Sequence, residues 1–85
     1  MLNSVFLTSR SVTLAQRMEK ALRKNRIPAR IERPDISITD GSCAYAVVIS
    51  ELYLPEAVEL LRNNSLLPRK IIIEEGLGNF REIYI

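Results

Sequence analysis

Segments with strand-like and helix-like periodicity succeed one another along this chain in the order β-α-β-β-α-β-β, and few folds accept that order. Residues 3–8 (NSVFLT) are β-prone and read as a first strand. Ser9 or Ser11 can cap a helix over residues 11–25. At about 100° per residue, Leu14, Ala15, Met18, Ala21 and Leu22 fall on one arc, and Arg17, Lys20, Arg23 and Lys24 on the other. Pro28 ends the helix, because the residue before a proline is pushed out of the α region. Residues 29–33 (ARIER) alternate as a half-buried strand does. Residues 34–42 are turn-rich, with a turn signal at Asp40-Gly41, and residues 43–50 (CAYAVVIS) are apolar on both faces, as a central strand must be. Pro55, Glu56 and Glu59 suit the start of a second helix, which Asn63-Asn64-Ser65 stops. Residues 70–74 (KIIIE) form another strand, residues 76–79 turn the chain, and residues 80–85 (FREIYI) supply a last edge strand or arm.

Residues 1–85 have room for one domain. The expected fold is α+β: a ferredoxin-like βαββαβ sandwich whose antiparallel sheet has the order 4-1-3-2. Two helices lie on one face, and an extra strand follows at the C-terminus. Strands one and three are then central. No apolar run approaches the ~18 residues that span a bilayer, and the start lacks a signal peptide's charged and apolar regions. A cytoplasmic protein without a membrane partner is the expectation. A single cysteine, unable to form an internal disulfide, agrees with it.

Charge is polarised. Residues 1–33 carry eight basic and two acidic residues, and residues 34–85 four basic and eight acidic, for a net +2. Such a chain can associate with itself or bind an anion through its first third, or simply present a solvated basic helix face.

The absence of histidine excludes Ser-His-Asp and Cys-His catalysis, and with one cysteine it leaves no metal site expected within one chain. There is no phosphate-binding GxxxxGK[ST] loop; Gly76-Leu77-Gly78 reads as a tight turn, and Glu56 and Glu59 as helix-start charges. No cofactor is expected. Cys43 remains. A cysteine in an apolar strand often only packs. The expected topology, however, gathers Thr8, Ser9, Arg10, Arg33, Cys43, Arg69 and Lys70 at one sheet edge, where the first helix also begins. Helix N–H groups and cations there favour an anion and lower a thiol's pKa, and the thiolate is the nucleophile. Gly41 and Ser42 let the backbone come close to a ligand.

Several short patterns resemble a family of small bacterial domains described as selenium/sulfur carrier-like. They are Phe6 and Ser9 closing the first strand, Ala15, Glu19 and Leu22 in the helix, Ile27-Pro28, Arg30 in the next strand, Ser42-Cys43, and Ile83-Tyr84 near the end. The family's Cys-Gly pair reads Cys43-Ala44 here. The resemblance implies a carrier that accepts sulfur as a persulfide, or selenium as the analogous adduct, on Cys43. Ser9, Arg10, Arg33 and Ser42 would stabilise the anion, and donor and acceptor proteins would stand on either side of the transfer. Such a protein is not an enzyme turning over a substrate alone. Two other readings stay open. One is a regulatory or assembly module that forms a homodimer through the FREIYI strand. The other, less favoured, is an RNA-binding module using Phe6 and Tyr45 on the two central strands. CAYAVVIS fits the RNA-binding consensus poorly, and the net charge is small, so nucleic acid is not the expected partner.

Overall fold

Serine in extended conformation just before an amphipathic run is a strong helix start. In the computed structural model, which describes residues 3–34, 45–76 and 78–83, Ser11 takes that role. Its Oγ accepts from the backbone N–H of Thr13 at 3.1 Å and of Leu14 at 3.3 Å. Helix α1 then runs Val12–Lys24 and buries Ala15, Met18 and Leu22. Glu19 and Arg23, one turn apart on its outer side, approach to 3.9 Å.

Five strands form one antiparallel sheet: β1 (Ser4–Ser9), β2 (Arg30–Glu32), β3 (Tyr45–Ser50), β4 (Ile71–Glu74) and β5 (Phe80–Ile83). Their order is β2-β3-β1-β4-β5, so β1 and β3 are each paired on both sides. β2 is shorter than the alternation of residues 29–33 suggests. Pro28 and Pro34 flank it and have no N–H to give to a ladder. The second helix, α2 (Leu54–Asn63), has its proline at the start as expected, but a 3₁₀ turn over Glu51–Tyr53 leads into it. Ser50 Oγ, which accepts from Leu52 N–H, supports that turn.

Both helices pack on one face of the sheet. Their buried residues join Val5, Leu7, Val47, Ile49, Ile71 and Ile73 in the main core. The other face carries a smaller buried cluster of Phe6, Ala46, Val48 and Ile72. Phe80 meets the Phe6 ring edge-on at 6.3 Å. β3 is thus apolar on both sides, because both sides are covered.

The helices end alike. At the end of α1, Arg26 N–H donates to Arg23 O at 3.0 Å and Ile27 N–H to Leu22 O at 2.9 Å. At the end of α2, Ser65 N–H donates to Arg62 O at 3.2 Å and Leu66 N–H to Leu61 O at 2.8 Å. Asn25 and Asn64 each turn a side-chain amide back to a carbonyl four residues earlier, at 2.9 and 2.8 Å. These are paired Schellman caps, and the residues that carry them (LRKNRI and LRNNSL) repeat in the sequence. The motif needs a left-handed residue, and here Arg26 (φ 65°) and Ser65 (φ 56°) fill it without being glycine. Ser65→Gly is therefore expected to stabilise the domain by about 0.5–1 kcal/mol, read as a higher urea midpoint with an unchanged slope.

The turn between β4 and β5 is closed by Glu75 N–H donating to Asn79 O, and Gly76 (φ 75°) and Gly78 (φ 78°) supply its left-handed backbone. Arg81 Nε donates to Glu75 Oε1 at 2.8 Å across this hairpin, and that hydrogen bond holds the Arg81 pKa above its ordinary value. Of the turn and strand-start residues singled out above, Asp40, Gly41, Ser42, Cys43 and Ala44 lie outside the described residues, as do Leu77, Tyr84 and Ile85.

Candidate functional site

The edge where β1 ends and α1 begins is built from backbone-directed hydroxyls. Thr8 and Ser9 are fully buried. Thr8 Oγ1 accepts from Lys70 N–H at 2.9 Å and lies 3.2 Å from the Lys70 carbonyl, to which it donates. The backbones of Thr8 and of Arg69 and Lys70 are tied as well, with Thr8 N–H donating to Lys70 O and Arg69 N–H to Thr8 O, both at 2.9 Å. This clamp holds the lead-in to β4 against the end of β1.

Ser9 Oγ accepts from Ser11 N–H at 3.2 Å and donates to Ser11 O at 2.9 Å. Its single O–H is thus committed to the turn that sets α1 on its course. Ser9 shapes the anion-favouring helix start in this arrangement, and the N–H groups of the first turn supply the positive potential. The first turn of α1 carries no acidic side chain to oppose it.

Four cationic residues adjoin the strand ends that meet at this edge. Arg10 follows β1 directly and is exposed, and Arg69 and Lys70 precede β4 beside Thr8. Arg33 follows β2 and reaches Tyr45, the first residue of β3: its Nη2 donates to the Tyr45 hydroxyl at 3.2 Å, and its guanidinium carbon lies 5.3 Å from the ring centroid. Tyr45 pairs with Ser9 across the sheet, so Arg33, Tyr45 and Ser9 stand at one edge. Lys70 Nζ approaches Glu82 Oε1 to 3.8 Å and is partly neutralised. Among the sequence-derived site residues, Ser9, Arg10 and Arg33 thus share an edge, while Ser42 and Cys43 lie outside the described residues. The sequence offers Tyr45 only as a ring for base stacking; its tie to Arg33 is not legible there. Two residues twelve apart in sequence meet because β2 and β3 pair antiparallel, a fact that local pattern does not carry.

The same register separates the two aromatic rings of the RNA-binding reading. Phe6 sits opposite Val48 and belongs to the smaller cluster, whereas Tyr45 sits opposite Ser9 and packs against the helix-side core. Rings on opposite faces of a sheet cannot form one stacking platform.

Among the described residues no group of histidine, cysteine and acidic side chains is placed to hold a metal ion, and no helix is long and apolar enough to cross a membrane. A groove of about 770 Å³ opens at the other end of the sheet, between the start of β1, the end of β3 and the end of α1.

A sequence model of the family described as "Putative Se/S carrier protein-like" matches residues 4–73, from the first residue of β1 to within one residue of the end of β4. The match covers most of the chain, and the chain belongs to this family. No curated protein and no solved structure matches it.

Proposed function

We propose that this member of the Se/S carrier-like family carries sulfur or selenium on Cys43, as a thiolate that becomes a persulfide or its selenium analogue. The observation that supports the reading is the cationic edge at the start of α1, to which Cys43 is tethered through Tyr45. Two residues of chain reach at most about 7 Å, and Tyr45 pairs with Ser9 at that edge. Free thiols ionise near pH ~8.5, and a helix N-terminus with arginine or lysine nearby lowers that value. The persulfide anion that follows has the same charge, so the same donors serve reactant and product. Ser9 contributes by holding the helix start, and Arg10 and Arg33 by their charge; Ser42, which precedes Cys43 in the chain, is proposed to add a hydroxyl.

The transfer balances without an external oxidant. The Cys43 thiolate attacks the outer sulfur of a persulfide on a donor protein. The new S–S bond forms as the donor's S–S bond breaks, and the electron pair leaves on the donor's thiolate. Handing on to an acceptor repeats the exchange in the other direction. Donor and acceptor proteins are therefore part of the proposal. We read the fold as ferredoxin-like; the run β2-β3-β1-β4 with both helices on one face supports this, with β5 as an addition beyond β4.

Incubation with a persulfide donor, followed by intact-protein mass spectrometry, tests the proposal. One added sulfur on Cys43, released by dithiothreitol, is the expected result. A native protein that stays unloaded while the unfolded chain loads readily would overturn it.

A further inference from the structure

The outer faces of the two helices carry opposite charge. At about 100° per residue, Arg17, Lys20 and Lys24 lie opposite the buried arc of Ala15, Met18 and Leu22, and all three are exposed. None of them has an ion pair among the described residues; Glu19, the one acid of α1, approaches Arg23 on the flank instead. On α2, Glu56 and Glu59 lie opposite buried Ala57 and Leu61, exposed and also without an ion pair among the described residues. Arg62 sits in the last turn of α2, where the helix dipole favours it, and pairs with neither glutamate. Like charges one turn apart repel, so Lys20 with Lys24 and Glu56 with Glu59 leave each face unbalanced within the protomer. Because β1 and β3 are antiparallel and each helix runs back along the strand before it, α1 and α2 lie antiparallel on one face of the sheet. Arg17 and Lys20 are three residues apart, and so are Glu56 and Glu59, which is about 4.5 Å of rise on either helix.

We propose that a second copy of this chain docks on the helix layer, forming a two-fold dimer in which α1 of each protomer crosses α2 of its partner. A two-fold axis along the helices, in the plane between two such layers, sets α1 over the partner's α2 and keeps that pair antiparallel. Arg17 then stands opposite Glu59 of the partner subunit and Lys20 opposite Glu56 of the partner subunit. The equal spacing lets both pairs form together, and the axis repeats them. Of the exposed large hydrophobic residues, Leu52 lies just before α2, while Val12 and Leu67 lie at the other end of the layer, where α1 begins and α2 has ended. Apolar side chains are thus available at both ends of the charged strip. Exposed ion pairs contribute little each and are screened by salt, so the dimer is weak and dissociates as ionic strength rises. This dimer does not rest on the carrier reading.

Sedimentation velocity of the full chain at low and high salt tests this. A dimer is expected at about 0.01 M salt, where the screening length is roughly 30 Å, and a monomer at about 1 M, where it is roughly 3 Å. Arg17→Glu and Glu59→Arg are each expected to weaken the dimer at least about tenfold, because each replaces an attraction by a repulsion on both sides of the axis. Both positions are exposed, so the urea midpoint should stay near that of the parent. The double variant, with the two charges exchanged, is expected to dimerise again, which a merely damaged fold would not do. The proposal is overturned if the chain sediments as a monomer at low salt and the highest soluble concentration, or if a dimer is indifferent to salt. It is overturned equally if the dimer survives both single reversals, which would place the contact elsewhere, such as the β5 edge. A double variant that unfolds as the parent does yet stays monomeric overturns it as well.

Discussion

Cys43→Ser is expected to reduce sulfur loading from a persulfide donor to background while leaving the fold intact. The loss should be complete because the step has one nucleophile: a serine hydroxyl is not ionised near neutral pH and has no sulfur to extend into a persulfide. The chain holds no second cysteine and no histidine to take over. The change is nearly isosteric, so the urea midpoint should move little, and this separates lost chemistry from lost structure. Loading that persisted in Cys43→Ser would place the acceptor elsewhere and remove the carrier reading.

The largest structural effect is expected at Leu61. It is fully buried in the main core, and its carbonyl receives Leu66 N–H in the cap of α2. Truncation of such a leucine to alanine loses its transfer free energy and leaves a cavity, together about 3 kcal/mol. At roughly 0.05–0.15 kcal/mol per residue, the whole domain is worth on the order of 4–13 kcal/mol, so Leu61→Ala removes a large part of it. Denaturation with urea should show a lowered midpoint whose shift, multiplied by the slope, corresponds to that loss. Leu52, 60% exposed in the 3₁₀ turn, provides the control: Leu52→Ala should stay within about 0.5 kcal/mol of the parent. Equal effects at the two positions would mean that Leu61 does not belong to the core.

Much of this fold is legible in the sequence, and the reasons are local. The arc of Ala15, Met18 and Leu22 repeats at helical spacing because one side of α1 must face the sheet, and it does. CAYAVVIS reads as central because Ala46 to Ile49 alternate between two covered faces. The end of β1, the end of β2 and the lead-in to β4 meet at one edge of the sheet, as chain order in an antiparallel sheet requires.

What escaped the sequence reading depends on register and on side-chain direction. Whether Phe6 and Tyr45 share a face turns on one step of strand pairing, and a single-residue step flips a side chain to the other side of the sheet. That Ser9 spends its hydroxyl on Ser11 is a rotamer choice that spacing does not encode. The doubled caps left a visible trace in LRKNRI and LRNNSL, where helix-ending asparagines fall at matching positions.

On the proposed reading, the edge beside Ser9 and Arg33 activates Cys43. That activation is tested most directly by the pH dependence of iodoacetamide alkylation in the native protein. Fast labelling with a midpoint well below ~8.5, the value for a free thiol, is expected if the helix start and nearby cations favour the anion. Labelling that appears only when the chain is unfolded would rule out activation at this edge and make Cys43 a packing residue.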